Sequence, residues 1–196
     1  MDEENKTELD WLYLPTNAES KSLWSCLHDG EIVSCQSNLI NRNTLFECKI
    51  SHLLDESEQD LKFLLLLEEV TSVRAFVYFR SEEKFSVPQS VSREEASRLI
   101  KEYQSRWREE SIAWKDFEKN LPENPFSISD ADIVSNENQT ALKVGGHLDV
   151  DDYYDLYCTI IARGSRIKAS RSDGQDFNFE KLIKLGEDYW NSFGKR

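Results

Sequence analysis

The sequence is poor in the residues that build loops and catalytic motifs. Its 196 residues include 7 Gly, 4 Pro, 3 His and 4 Cys, and the cysteines form no C-x-x-C pair. The glycine-rich phosphate-binding motifs are absent, and so are G-x-S-x-G and H-E-x-x-H. The common signatures of nucleotide-binding proteins, serine hydrolases and zinc peptidases are therefore excluded, and no catalytic centre can be read from the sequence.

Long apolar runs are also missing. The longest, at residues 63–67, falls far short of the roughly 20 residues that span a bilayer. Residues 1–6 are acidic, whereas a secretory signal would be basic and then apolar. We therefore expect no membrane segment and a cytoplasmic location, where cysteines are reduced and serve as small buried side chains. The cysteines concerned are Cys26, Cys35, Cys48 and Cys158.

Acidic residues outnumber basic residues by 37 to 24, which gives a formal net charge of -13. This charge repels the phosphates of nucleic acids and of anionic bilayers, so we expect neither direct nucleic-acid binding nor membrane binding. A hydrophobic fraction of 39%, with 11% aromatic residues, is typical of a folded protein and not of a disordered acidic tail. A folded acidic surface favours a basic protein partner.

Short segments in the first half of the chain return in the second half, in the same order. Residues 29–34, DGEIVS, return as residues 130–135, DADIVS. Residues 99–101, LIK, precede Trp107 by the same spacing as residues 182–184, again LIK, precede Trp190. Ordered matches of this kind predict an internal duplication.

The hydrophobic patterns predict an α+β fold of two pseudo-repeated units, each an antiparallel β-meander followed by a helix, packed together. We divide the chain into an N-terminal arm at residues 1–20, a first unit at 21–121 and a second unit at 122–196, with one compact globule as the alternative to separate bodies. The predicted strands cover residues 31–40, 44–53, 63–67, 73–79, 132–135, 140–144, 154–162 and 166–170. One long helix is predicted from a capping box at Ser92 to Leu121, and another over residues 179–193, capped by Asn178.

His28 and Asp29 form the most suggestive pair, because an imidazole beside a carboxylate can act as a general base. Adjacent residues at a helix end point in different directions, so the simpler interpretation is that His28 donates to the last carbonyls of a short helix. Together with Cys26, Cys48 and His52, His28 also has spacings found in zinc sites. Strand alternation places Cys48 in the core, and we expect no metal and no cofactor.

A dense carboxylate patch lies in the predicted second unit, at Asp149, Asp151, Asp152 and Asp155. Carboxylates in this density can bind calcium, but an EF-hand loop starting at Asp149 would have Tyr153 and Tyr154 at its fifth and sixth positions, where an acidic residue and a glycine are needed. We interpret the patch as a solvated acidic hairpin loop.

Residues 27–32, LHDGEI, are followed by a hairpin and then by residues 66–73, LLEEVTSV. This pattern resembles the opening of small bacterial β-meander domains, many of them uncharacterised and some similar to immunity proteins that neutralise toxins. The resemblance covers residues 27–73 and implies a bacterial origin. The second unit lacks the Leu-His-Asp residues, so the resemblance does not extend a shared site to it.

These observations favour a non-catalytic protein-binding module, immunity- or regulator-like, that presents acidic loops to a basic partner. The candidate contact residues are His28, Asp29, Asp149, Asp151, Asp152 and Asp155. Two alternatives stay open. One is a structural or assembly subunit that reaches a neighbour through residues 11–14, and the other is a small-molecule binder or enzyme with a pocket at the seam between the units, where His28, His52 or His147 would meet Asp or Tyr. The oligomeric state is also left open.

Overall fold

The computed structural model describes residues 14, 17–38, 40–54, 58, 61–79, 86–88, 90–104, 108–150, 154–174 and 176–193. In chain order the elements are β1 (Glu19–Ser22), α1 (Trp24–Leu27), β2 (Glu31–Asn38), β3 (Asn43–Lys49), a 3₁₀ turn (Ser51–Leu53), β4 (Phe63–Glu68), β5 (Ser72–Phe79), α2 (Arg93–Gln104), β6 (Arg108–Ile112), α3 (Trp114–Asn120), β7 (Phe126–Ser135), β8 (Thr140–Val150), β9 (Tyr154–Gly164), β10 (Arg166–Arg171), β11 (Asp176–Phe177) and α4 (Phe179–Phe193). The predicted α+β class is confirmed, and sheet predominates over helix. None of the helices in these ranges is long and apolar enough to cross a membrane.

The strands form one antiparallel sheet in the order β11-β10-β4-β3-β2-β7-β8-β9-β5-β6, with β1 paired to β7 beside this path. The predicted first three strands do form a meander, since β2 pairs with β3 and β3 with β4. The predicted continuation of that meander from β4 to β5 is wrong, because β5 pairs with β9 and β6 instead.

The pairing of β5 with β9 follows from two bent strands, one made of β4 and β5 and the other of β9 and β10. Only residues 69–71 separate β4 from β5, and only Ser165 separates β9 from β10. Inside the bend the Ser165 amide donates to the Glu68 carbonyl at 2.9 Å and the Thr71 amide donates to the Arg163 carbonyl at 2.9 Å. β4 and β5 are therefore two segments of one strand, and they pair with β10 and β9 along its length.

These bends fold the sheet back on itself around a common core. At the other side of the core, β2 meets β7 through the pair Ile32 and Phe126. Phe46 and Leu65 from one part of the sheet share a buried cluster with Val144 and Ile160 from the other part. Each fully buried side chain of this size contributes about 1.5–3 kcal/mol to folding. The described residues of the two predicted units thus share a hydrophobic core.

The single helix predicted between Ser92 and Leu121 is wrong. Its start is confirmed, because the Ser92 hydroxyl accepts a hydrogen bond from the Glu95 amide at 3.2 Å. The helix ends at Gln104, however, and β6 follows before α3 begins at Trp114. β6 supplies the backbone partners that one edge of β5 requires, and this long-range pairing prevails over a helical pattern in the local sequence.

At the N-terminus, the predicted arm overlaps β1, which begins at Glu19. Leu14 is buried, while residues 1–13, 15 and 16 lie outside the described part of the chain. In the second unit β7 begins at Phe126, six positions before the strand predicted from residue 132. The final helix is confirmed over Phe179–Phe193, and its cap is confirmed by the hydrogen bond that the Lys181 amide donates to Asn178 Oδ1 at 2.8 Å.

Candidate functional site

The short helix α1 holds His28 and Asp29 beside β7. Leu23 and Leu27 are fully buried, and the Leu23 amide donates to the Ala131 carbonyl at 2.7 Å. Asp29 follows with a left-handed φ of 62°, which turns the chain into β2. α1 is therefore fixed against β7 by both apolar packing and a backbone hydrogen bond, and the residues at its end have a defined position.

The His28 ring makes three distinct contacts. Its Nδ1 lies 2.8 Å from the carbonyl oxygen of Ser129 in β7, and since a carbonyl only accepts, Nδ1 carries the proton. Its Nε2 lies 3.4 Å from Asp29 Oδ1. Its face stacks on the Trp24 ring, with 4.7 Å between the ring centroids. The predicted side-chain bond to the last carbonyls of α1 is therefore wrong, because the acceptor belongs to the neighbouring strand.

Trp190, from α4, packs against Trp24 and His28. Its Nε1 donates to the Ser25 carbonyl at 3.0 Å, and its ring centroid lies 5.2 Å from that of Trp24 and 5.8 Å from that of His28. The two helices approach closely at Gly186, where an added Cβ would collide with the backbone of Ser25. The missing side chain at Gly186 is therefore what allows α4 to place Trp190 against α1.

His52 completes the group from the 3₁₀ turn. Its ring centroid lies 4.8 Å from that of Tyr189 and 5.9 Å from that of Trp190. Its Nε2 is buried and has no hydrogen-bond partner among the described residues. Burial lowers the pKa of His52 below its ordinary value, with a further lowering by His28 that Asp29 opposes. At neutral pH the His52 imidazole is therefore uncharged.

We call this cluster the aromatic corner, and it consists of Trp24, His28, His52, Tyr189, Trp190 and Phe193. Two of its large rings are open to solvent, with Trp24 42% and Phe193 58% exposed. The Asp29 side chain at its edge is 67% exposed. A cation bound here would meet ring faces and the Asp29 carboxylate together, an arrangement that stabilises ammonium and guanidinium groups.

The structure brings some of the predicted site residues together and separates others. His28, Asp29 and His52 meet where residues from both predicted units are in contact. His147 lies elsewhere, edge-on to Tyr157 with 5.3 Å between the ring centroids. Asp149 and Asp155 are backbone partners in β8 and β9, so these two belong to strands and not to the predicted loop, whereas Asp151 and Asp152 fall outside the described residues.

Trp24 and Tyr189 are functional candidates that the sequence did not single out. Trp24 precedes His28 by one helical turn, and this spacing is a usable signal for a stacked pair. Tyr189 carries no comparable signal, because its contact with His52 depends on how α4 packs against a distant turn. Trp107, the predicted counterpart of Trp190, lies outside the described part of the chain.

The four cysteines do not add chemistry to this site. All four are buried, and none of them is in a disulfide. Burial raises the pKa of Cys26, Cys48 and Cys158 to about 12, and it also raises the pKa of Cys35. Thiols with such pKa values stay protonated at neutral pH, so they are poor nucleophiles and poor metal ligands. The zinc arrangement considered for Cys26, His28, Cys48 and His52 does not form, since no group of residues in the described ranges could hold a metal ion.

Comparison of the chain with protein-family models, with curated proteins and with solved structures found no match. Function has to be inferred from the contacts, exposure and charge of the aromatic corner itself.

Proposed function

We propose that this chain is a non-catalytic protein-binding module for a basic partner, and that the aromatic corner with Asp29 is its contact surface. The exposed Trp24 ring, stacked on His28 beside a carboxylate, carries the proposal. Tryptophan and tyrosine are the residues that most often dominate binding energy at protein interfaces. A partner arginine or lysine over such a ring gains about 0.5–2 kcal/mol from the cation–π contact alone.

Charge supports a basic partner in a second way. The chain carries a formal charge of -13, so a cationic protein is attracted over distances longer than any single contact. The carboxylates of Asp149, Asp151, Asp152 and Asp155, which are close together in sequence, add to this attraction. The aromatic corner then supplies the short-range contacts that make the complex specific.

The state of the polar groups favours binding over catalysis. Nδ1 of His28 is used in the hydrogen bond to Ser129, and one face of its ring is covered by Trp24. His52 has its Nε2 buried. Both imidazoles are held within a packed aromatic group, which suits a rigid contact surface better than it suits proton transfer to a substrate.

Two wider inferences belong to the same proposal. The pairing of β2 with β7 and of β4/β5 with β10/β9 joins the first strands and the third strands of two meanders, and this arrangement supports an origin by duplication. The resemblance of residues 27–73 to immunity-like bacterial domains favours an immunity- or regulator-like role.

Chemical cross-linking tests the position of the contact surface. The full chain would be used to recover partners from native lysate, and each recovered protein would be purified and tested for direct 1:1 binding. We expect a basic partner whose cross-links map to residues 24–29 and 185–193. A direct partner with cross-links confined to other surfaces would contradict the proposed contact surface, and an acidic direct partner would contradict the charge argument.

A further inference from the structure

A separate cavity lies where the β2–β3 turn, the bend between β4 and β5, and the start of α3 meet. Its volume is about 230 Å³. The side chains that matter for its chemistry are Ser37, Arg42, Thr44, Val70, Val73 and Trp114. All of them lie within residues 21–121, so this cavity is not at the seam where the aromatic corner forms.

One wall of the cavity is apolar and rigid. Trp114 stacks on Phe117 with 5.5 Å between the ring centroids and an interplanar angle of 22°. Its Nε1 donates to Ser37 Oγ at 3.3 Å, which fixes the orientation of the indole. Val70 and Val73 pack against the hydrophobic core beside it. A flat apolar group of a ligand would find a preformed surface here, so little order would be lost on binding.

The charge of the cavity lining differs from that of the whole chain. Although the chain has 37 acidic residues, the described residues that line the cavity include Arg42 and no carboxylate. The remaining polar lining consists of hydroxyl and amide side chains, among them Asn38, Asn43 and Thr71. Outside the lining, the Glu118 carboxylate is engaged by the Ser37 amide, which donates to its Oε1 at 3.0 Å. Arg42 forms no ion pair with any residue in the described ranges.

We propose that this cavity binds a small anionic molecule with a planar apolar body. The anionic group is held by the Arg42 guanidinium, which donates to carboxylate or phosphate oxygens in a fixed fork geometry. The planar body lies against Trp114, Val70 and Val73. The volume, below the range usual for drug-sized ligands, limits the molecule to a single ring with its substituents. This site is independent of the proposed partner surface.

NMR titration of the full chain tests the proposal with three probes of one shape. Benzoate carries the anionic group, benzamide is its neutral counterpart and benzylamine is cationic. The observed signal is the Trp114 indole N–H resonance, assigned by its loss in Trp114→Phe. We expect a saturable shift with benzoate, an affinity at least tenfold lower for benzamide, and no saturable shift with benzylamine.

Arg42→Gln is the variant that decides the role of charge, with Arg93→Gln as its matched control at an exposed position in α2. We expect Arg42→Gln to reduce benzoate affinity to the level of benzamide and Arg93→Gln to leave it unchanged. Both substitutions are at exposed residues, and their benzoate affinities are also measured by isothermal titration calorimetry, which needs no assigned resonance and therefore tests the site even if Trp114→Phe fails to fold. Absence of a saturable benzoate shift, equal affinity for all three probes, or equal effects of the two arginine variants would overturn the proposal.

Discussion

The imidazole of His28 lies nearly parallel to the indole of Trp24, with 4.7 Å between the ring centroids and an interplanar angle of 23°. Nδ1 of the same imidazole is bonded to the carbonyl of Ser129 in β7. His28 therefore joins the exposed Trp24 to the sheet, and it gives the aromatic corner a rigid base. The proposed partner surface follows from this connection.

Gly186→Ala is expected to loosen the aromatic corner. The added methyl group would collide with the Ser25 backbone, and overpacking of this kind costs about 1–3 kcal/mol. For a protein of this size the melting temperature should fall by about 2–4 °C for each kcal/mol. Thermal unfolding measures the effect, and Glu187→Ala, at the exposed neighbouring position, serves as the control. Equal melting temperatures for the two variants would show that α4 does not approach α1 this closely.

His52 should make the fold sensitive to mild acid. Burial lowers the pKa of His52 in the folded state below its ordinary value of 6.5. In the window below pH 6.5 the unfolded chain therefore binds more protons than the folded chain, and stability falls as the pH falls. Urea unfolding at a series of pH values should show this slope in the parent protein and a smaller slope in His52→Phe. If the unfolding free energy of His52→Phe depended on pH between 6.5 and 5 as steeply as that of the parent protein, the burial of the imidazole would be contradicted.

The stabilisation by the ion pair of Lys62 and Glu47 should be lost at a lower pH than the effect of His52. Lys62 Nζ lies 2.8 Å from Glu47 Oε2, and this hydrogen bond holds the pKa of the Glu47 carboxyl below its ordinary value of 4.5. The pair stabilises the fold above that value and ceases to do so as the pH falls through the folded pKa. Since the Lys62 side chain is 41% exposed, we expect Lys62→Met to cost at most about 1 kcal/mol at pH 7.

The control for this prediction is the unfolding free energy of Lys62→Met measured at acidic pH. Unfolding free energies of Lys62→Met and the parent protein should converge as the Glu47 carboxyl becomes protonated. A difference that persists undiminished at low pH would assign the effect of the substitution to lost packing of the lysine stem and not to the ion pair.

Local patterns were sufficient for much of the fold. Alternating apolar residues located β2 and β3, and side-chain capping located the starts of α2 and α4. The break in the helix predicted from Ser92 could not be seen, because β6 forms only where β5 offers an unpaired edge. The bend that joins β4 to β5 was likewise invisible, since it depends on pairing with β9 and β10 almost a hundred residues away.

The candidate site was only partly accessible to sequence reasoning. His28 and Asp29 were found because adjacent polar residues stand out at the end of a short helix. Trp24 lies beside Leu23 and before Leu27 at helical spacing, and an apolar pattern of this kind predicts burial, whereas the Trp24 ring is 42% exposed. Which aromatic residue remains at the surface is decided by how α4 packs on α1, and this information is spread over residues that are far apart in sequence.

The most direct test of the proposed function is the dissociation constant of the direct basic partner for three forms of the chain, measured at one salt concentration. The forms are the parent protein, Trp24→Ser, and Ile40→Ser as a matched control, because Ile40 is an exposed apolar residue in the β2–β3 turn, 94% exposed. We expect Trp24→Ser to weaken binding at least tenfold, equivalent to about 1.4 kcal/mol, and Ile40→Ser to leave it unchanged. Equal affinities for the parent protein and Trp24→Ser, with both forms folded, would contradict the assignment of the aromatic corner as the contact surface.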